Sequence, residues 1–151
     1  MAGKSDTLEF ALLQLIFAGA ATNFSLGATA GSTSLWLGLH TADPTDAGST
    51  GAEGGYAQYT RVKTDRSTAA STGWSITSGT SAALPVASPV ATIAFPQNTS
   101  TSTGTFTHAS VWTSSNVSSS GMVYFGTVTP NINFSQNVTP QLTTASSITE
   151  E

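Results

Sequence analysis

Apolar positions follow two different periods along this chain. From Leu8 to Phe17 they run almost unbroken, through Leu8, Phe10, Ala11, Leu12, Leu13, Leu15, Ile16 and Phe17, with Glu9 and Gln14 the polar exceptions. Asp6, followed three residues later by Glu9, makes a capping-box-like start and Gly19 a stop, so the pattern predicts an α-helix over 6–18. A helix that is apolar on every side is buried on every side. Leu8, Leu12, Leu15, Ile16 and Phe17 are therefore expected to pack in the domain core or at a subunit interface.

After a Gly-, Ala- and Thr-rich stretch the period drops to two. Leu35, Leu37 and Leu39 alternate with Trp36, Gly38 and His40, and residues 90–95, 105–112 and 122–129 repeat the alternation with aromatic and β-branched enrichment. Weaker strands are predicted at 56–63, 74–76, 132–134 and 141–148, separated by turn clusters such as GAEGG, NTSTSTG and SSNVSSSG. No helical pattern separates successive strands and nothing repeats at a fixed period, which excludes a parallel α/β sheet and a repeat array. The expected fold is mainly β: an antiparallel β-sandwich or barrel with one N-terminal α-helix and extended terminal arms. Within a single domain over 1–151, the helix and a flexible loop or arm occupy 1–33. The β core occupies 34–129, and a C-terminal edge strand or arm occupies 130–151.

Composition adjusts this picture. The 151 residues suit one domain with a real core. Charged residues make up 8% of the chain against about 25% in an average protein, while Ser and Thr together make up about a third. With 38% hydrophobic residues and a net charge of −4, the chain is too apolar and too weakly charged for a disordered segment. Its basic residues, Lys4, Arg61, Lys63 and Arg66, are too few to track a phosphate backbone, so no nucleic-acid partner is expected. The absence of Cys excludes disulfides, thiolate metal sites and thiol nucleophiles, leaving packing and association to supply stability. MAGKSDTLEF has no signal-peptide pattern and the apolar run after it is too short to cross a bilayer. A chain made in the cytoplasm, outside any membrane, is expected. Five of the six Asn (Asn23, Asn98, Asn116, Asn133 and Asn137) begin Asn-x-Ser/Thr triplets, which without a secretory route are not expected to carry glycans.

The best candidates for chemistry are His40, Asp43 and Asp46, where a strand runs into a polar loop. A His with carboxylates could act as a general base or hold a metal. Asp43-Pro44 is also an ordinary turn signal, and the expected role of His40, Asp43 and Asp46 is a surface turn that contacts a neighbour. Phe106, His108, Ser110 and Trp112 share one face of a predicted strand, where a packed or hydrogen-bonded imidazole is expected. No phosphate loop, nucleophile elbow or acid/base carboxylate pair is present in the sequence. No catalytic residue, cofactor or metal is expected. Arg61, Lys63 and Arg66, with Asp65, form a mixed-charge cluster suited to a protein contact.

Several of these stretches occur together in a family of small tailed-bacteriophage virion proteins, often labelled tail-fibre-like, which this chain resembles. LWLGLHTADPTDAG is similar to the family's alternating Leu strand and Thr-Ala-x-Pro turn. GGYAQYTRV resembles its Gly-Tyr-x-Arg-Val strand, carried by Tyr59, Arg61 and Val62. AFPQNTSTSTGTFTHASVW resembles its Phe-Pro step into a Thr-His strand, and MVYFGTV its Tyr-x-Gly strand. The likeness spans about residues 5–129. The tail departs from it, carrying Pro140 and no Gly where a Gly turn and regular last strand are usual. The resemblance implies a structural virion role. A head decoration or cement protein is expected, a homotrimer on the capsid surface that bridges major capsid protein subunits. The alternative is a tail or fibre component binding the host surface, with Trp36, Trp74, Trp112, Tyr56 and Tyr59 available to stack on sugars.

Overall fold

A computed structural model of the protein describes residues 13–18, 34–45, 52–67, 71–77, 85–117 and 122–149. Leu8 and Leu12, the start of the expected helix, Asp46 and the Gly/Ala/Thr-rich loop lie outside the described residues. The fold is mainly β, and every pairing with a described register is antiparallel, as the alternation predicts. The chain divides into two compact units, each drawn from separated stretches.

The first unit contains the described parts of Met1–Ser34, Asp65–Thr92 and Leu142–Glu151. Strands β3 (Trp74–Thr77), β4 (Val86–Pro89) and β9 (Ile148–Thr149) form its sheet in the order β3-β4-β9. Trp74 pairs with Pro89 and Ala87 with Ile148. The expected α-helix is described from Leu13, and Gln14–Ala18 is wound as a π-helix, a correction to the sequence reading. Leu13 and Phe17 are buried, Leu15 and Ile16 half-buried, and the Phe17 ring lies 4.5 Å from that of Trp74 at 56°. The carbonyls of Leu15 and Ile16 belong to the helical end and need donors from elsewhere. Arg66 supplies them, its Nε donating to Ile16 O at 2.6 Å and its Nη2 to Leu15 O.

The second unit contains Leu35–Thr64 and Ile93–Gln141. Strands β1 (Ser34–His40), β2 (Val62–Asp65), β6 (Gly104–Trp112) and β7 (Met122–Phe134) are ordered β2-β1-β6-β7, while the short β5 (Ile93–Ala94) and β8 (Gln141–Leu142) pair separately. Leu35, Leu37 and Leu39 are buried, as their alternation requires. An aromatic cluster fills the core. Phe106 and Phe134 meet at 4.6 Å between ring centroids, Tyr56 lies 5.5 Å from Phe134, and Tyr59 stacks on Phe95 at 6.0 Å.

Three strand boundaries differ from the sequence expectation. The strand predicted over 56–63 begins only at Val62, because Tyr59 N–H donates to Tyr56 O at 3.1 Å and the resulting turn brings both rings into the aromatic cluster. The strand predicted over 90–95 is reduced to Ile93–Ala94, because the preceding strand ends at Pro89 and Val90 N–H turns to Gly73 O. Conversely, 122–129 and 132–134 are one 13-residue strand along the sheet edge. Its last residue, Phe134, is buried, and the chain beyond it runs beside residues 95–98: Phe95 N–H donates to Pro140 O and Asn98 N–H to Val138 O, both at 2.9 Å.

Candidate functional site

The polar side chains of the second unit converge where β1 faces β6. In their antiparallel register Trp36 lies opposite Trp112, Gly38 opposite Ser110 and His40 opposite His108. Residues two apart share a face, so Trp36, Gly38 and His40 meet Trp112, Ser110 and His108 on one surface of the sheet. Gly38 is what lets that surface close. A Cβ there would stand 2.8 Å from both Ser110 Oγ and Glu53 Oε1 and 3.1 Å from Trp112 Nε1.

Through this gap runs a continuous polar chain. Trp112 Nε1 donates to Ser110 Oγ at 2.6 Å, and Ser110 Oγ is 2.6 Å from His40 Nε2. A hydroxyl carries one hydrogen and two lone pairs, so while accepting from the indole Ser110 Oγ can pair with either tautomer of His40 at Nε2. Nδ1 is buried and has no hydrogen-bond partner. Burial lowers the pKa of His40, outweighing the raising effect of the Glu53 carboxylate.

Arg61 closes the chain on the other side of Trp112. Its Nε and Nη2 donate to the two oxygens of Glu53, each at 2.7 Å, and its Nη1 to the carbonyls of Ser114 and Asn116 at 3.0 and 2.9 Å. The guanidinium carbon lies 3.6 Å from the centre of the Trp112 ring. This ion pair is buried, with side-chain exposures of 0% and 1%, and the planar fork satisfies both the carboxylate and the 114–116 backbone. Tyr59 adds its hydroxyl, which accepts from Leu39 N–H at 2.7 Å and donates to Glu53 Oε1 at 3.3 Å. Its pKa is raised by burial and by the adjacent carboxylate. Glu53 is held in turn by the β-bridge of its residue to His40 and by Gly54 N–H donating to Leu39 O.

Several site expectations change here. His40 is not part of a surface turn: it ends β1 fully buried, because its strand face is covered by this network. The turn begins after it, at Thr41, where exposed Asp43 accepts from Thr45 N–H at 2.8 Å. Arg61 is not a surface contact charge either, since Glu53 draws it inward. Lys63 is exposed, and Arg66 is committed to the helical carbonyls. The aromatic platform also dissolves: Trp74, Trp112 and Tyr56 are buried, and Tyr59 and Trp36 are half-buried. Asn98, which begins one of the Asn-x-Ser/Thr triplets, is buried, its Oδ1 accepting from Ser100 and its Nδ2 donating to Ser102 O.

Chemically the arrangement is a clasp. Ser110 and His40 are at nucleophile–base distance, but Ser110 Oγ is already engaged by Trp112, both residues are buried, and no carboxylate orients Nδ1. Among the described residues no group of three or more His, Asp or Glu is placed to hold a metal, and no helix is long and apolar enough to cross a membrane. The segments that supply the clasp, around Gly38, Glu53 to Arg61 and Ser110 to Asn116, overlap the stretches through which the sequence resembles phage virion proteins. The family model described as podophage GP4 fiber I protein gp80 matches residues 3–148. No curated protein matches the chain.

Proposed function

The chain belongs to the podophage GP4 fiber I protein gp80 family and is a structural protein of the tailed-phage virion; within the particle, we propose, it serves as a fibre module that works by contact and not by catalysis. The family match over almost the whole chain carries this reading. The interior supports it, since the buried polar residues of the candidate site are consumed in holding the second unit together. His40, Ser110, Glu53 and Arg61 all face inward.

Self-association, as a homotrimer, is part of the proposal. Among the described residues edge strand β7 has one neighbour, β6, and Met122, Val123, Tyr124 and Phe125 along it are only half-buried in the single chain. Host contact by this module uses its hydroxyl- and amide-rich loops, because the large aromatic rings are occupied in the cores. The alternative is head decoration, with the module bridging major capsid protein subunits. Its charge-poor composition suits either position, and the family description favours the fibre.

Imaging intact virions with the protein labelled, and counting its copies against the major capsid protein, tests the assignment. Density confined to the tail is the expected result. Copies at regular points over the shell would replace the fibre reading with the decoration role.

A further inference from the structure

We propose that the paired 95–98 and 137–140 segments, together with the end of β7, form a binding site for a neutral glycan that is read by side-chain amides; the inference rests on the fibre reading and names the class of ligand its polar loops take. The two segments run side by side, with Phe95 N–H donating to Pro140 O and Asn98 N–H to Val138 O, both at 2.9 Å, and Asn137 N–H donating back to Asn98 O at 2.7 Å. Asn98 fixes the adjoining turn from inside. Its buried side chain accepts from Ser100 N–H at 2.9 Å and from Ser100 Oγ at 2.7 Å, and donates to Ser102 O at 2.7 Å. On these segments and at the end of β7 stand four exposed amides, those of Gln97, Asn133, Gln136 and Asn137.

Two of the amides are held in place and still have capacity to bond. Gln97 donates from Nε2 to Asn137 O at 3.0 Å, and Asn133 accepts through Oδ1 from Thr105 Oγ1 at 2.9 Å. An amide has two donor hydrogens and two acceptor lone pairs, so among the described residues Gln97 keeps its oxygen and Asn133 its two hydrogens for a ligand. Such a mixture of fixed donors and acceptors matches sugar hydroxyls, which both give and accept. Charge decides the class of sugar. From Ser67 to Thr149 the sequence contains no Lys, Arg, Asp or Glu, where an average protein carries about one charged residue in four. An acidic glycan would find on these segments no cation to make the charge-assisted bonds that anions need, and the net charge of −4 opposes its approach. A neutral sugar gives up only hydrogen bonds to water, which the amides return. Exposed Val138 offers an aliphatic contact for the ring C–H groups.

The test titrates the full chain, labelled with 15N, with neutral oligosaccharides cut from dextran, mannan and galactan and, separately, with acidic alginate oligomers. At least one neutral series is expected to shift the side-chain NH2 signals of Gln97 and Asn133 and the backbone amides of 97–102, with equal affinity at about 0.05 and 0.5 M NaCl. Gln97→Ala and Asn133→Ala leave the hydrogen bonds of the Asn98 side chain intact, and each should weaken binding about fivefold. Shifts confined to other surfaces, equal binding of the alginate oligomers, or no shift with any neutral series would overturn the site. Absence of binding by a protein that imaging places in the tail removes the glycan site alone, whereas copies over the shell remove the fibre reading on which it rests.

Discussion

A single missing methyl group, at Gly38, decides whether the polar chain of the second unit can form. The Cβ of an alanine would press on Ser110 Oγ and Glu53 Oε1, and neither can retreat, one being held by Trp112 and the other by Arg61. Gly38→Ala is therefore expected to destabilise the protein by about 1–3 kcal/mol, read as a lower urea midpoint with an unchanged slope. The ion pair makes a sharper prediction. Arg61→Met strands the Glu53 carboxylate inside the protein and should cost about 3–5 kcal/mol, most of which is recovered in the Arg61→Met/Glu53→Leu double variant. Recovery stays incomplete because Ser114 O and Asn116 O lose their donor. Equal midpoints for the single and double variants would show that the carboxylate is solvated after all. At this scale the sequence is only half informative. The leucines of β1 announce themselves by alternation, whereas Gly38, His40 and Ser110 read as a polar, outward face. A strand glycine signals close approach, and an arginine set between Tyr59 and Val62 in a chain with so few charges is the other clue to a polar interior.

Strands β6 and β7 show how elements depend on such residues. Phe134 fills the space that Gly55 and Gly104 leave open: an added Cβ would come within 2.4 and 2.6 Å of its ring. Phe134→Ala should cost about 3–5 kcal/mol through the cavity it leaves. Gly104→Ala should be harmful in the wild type and much better tolerated beside Phe134→Ala, a coupling that a double-mutant cycle measures directly. Additive effects would mean that the ring does not press on β6. The core of β6 was legible because its alternation is strong and its length sufficient. The union of 122–129 with 132–134 was not, because Pro130 and Asn131 are punctuation in sequence terms. Their position at the sheet edge, where among the described residues no second neighbour needs a donor, lets the strand continue through them. The same limitation hid the turn at Tyr56–Tyr59, whose tyrosines look like strand residues until an aromatic core gives them a common destination.

For the molecule as a whole, polarity comes from hydroxyl and amide groups and very little from charge, with the Arg61–Glu53 pair withdrawn from solvent. Buried pairs are poorly screened by salt. Raising NaCl from about 0.05 to 0.5 M at pH 7.5 should change unfolding stability by less than ~0.5 kcal/mol, and a larger loss would reveal surface ion pairs as a main support. The mainly antiparallel fold was readable from periodicity, and the virion role from the order of short motifs. The division into two units was not, since each is built from stretches that sequence order separates. One feature of the long edge strand bears on how many copies can coexist. Opposite Thr107 alone, β7 spends Val128, Thr129, Pro130 and Asn131, and the ladder slips again between Tyr124 and Met122. Each slip bends the strand and breaks the row of free donors and acceptors that an incoming strand would read. The edge is thus a poor template for unlimited strand addition, a protection that does not depend on surface charge.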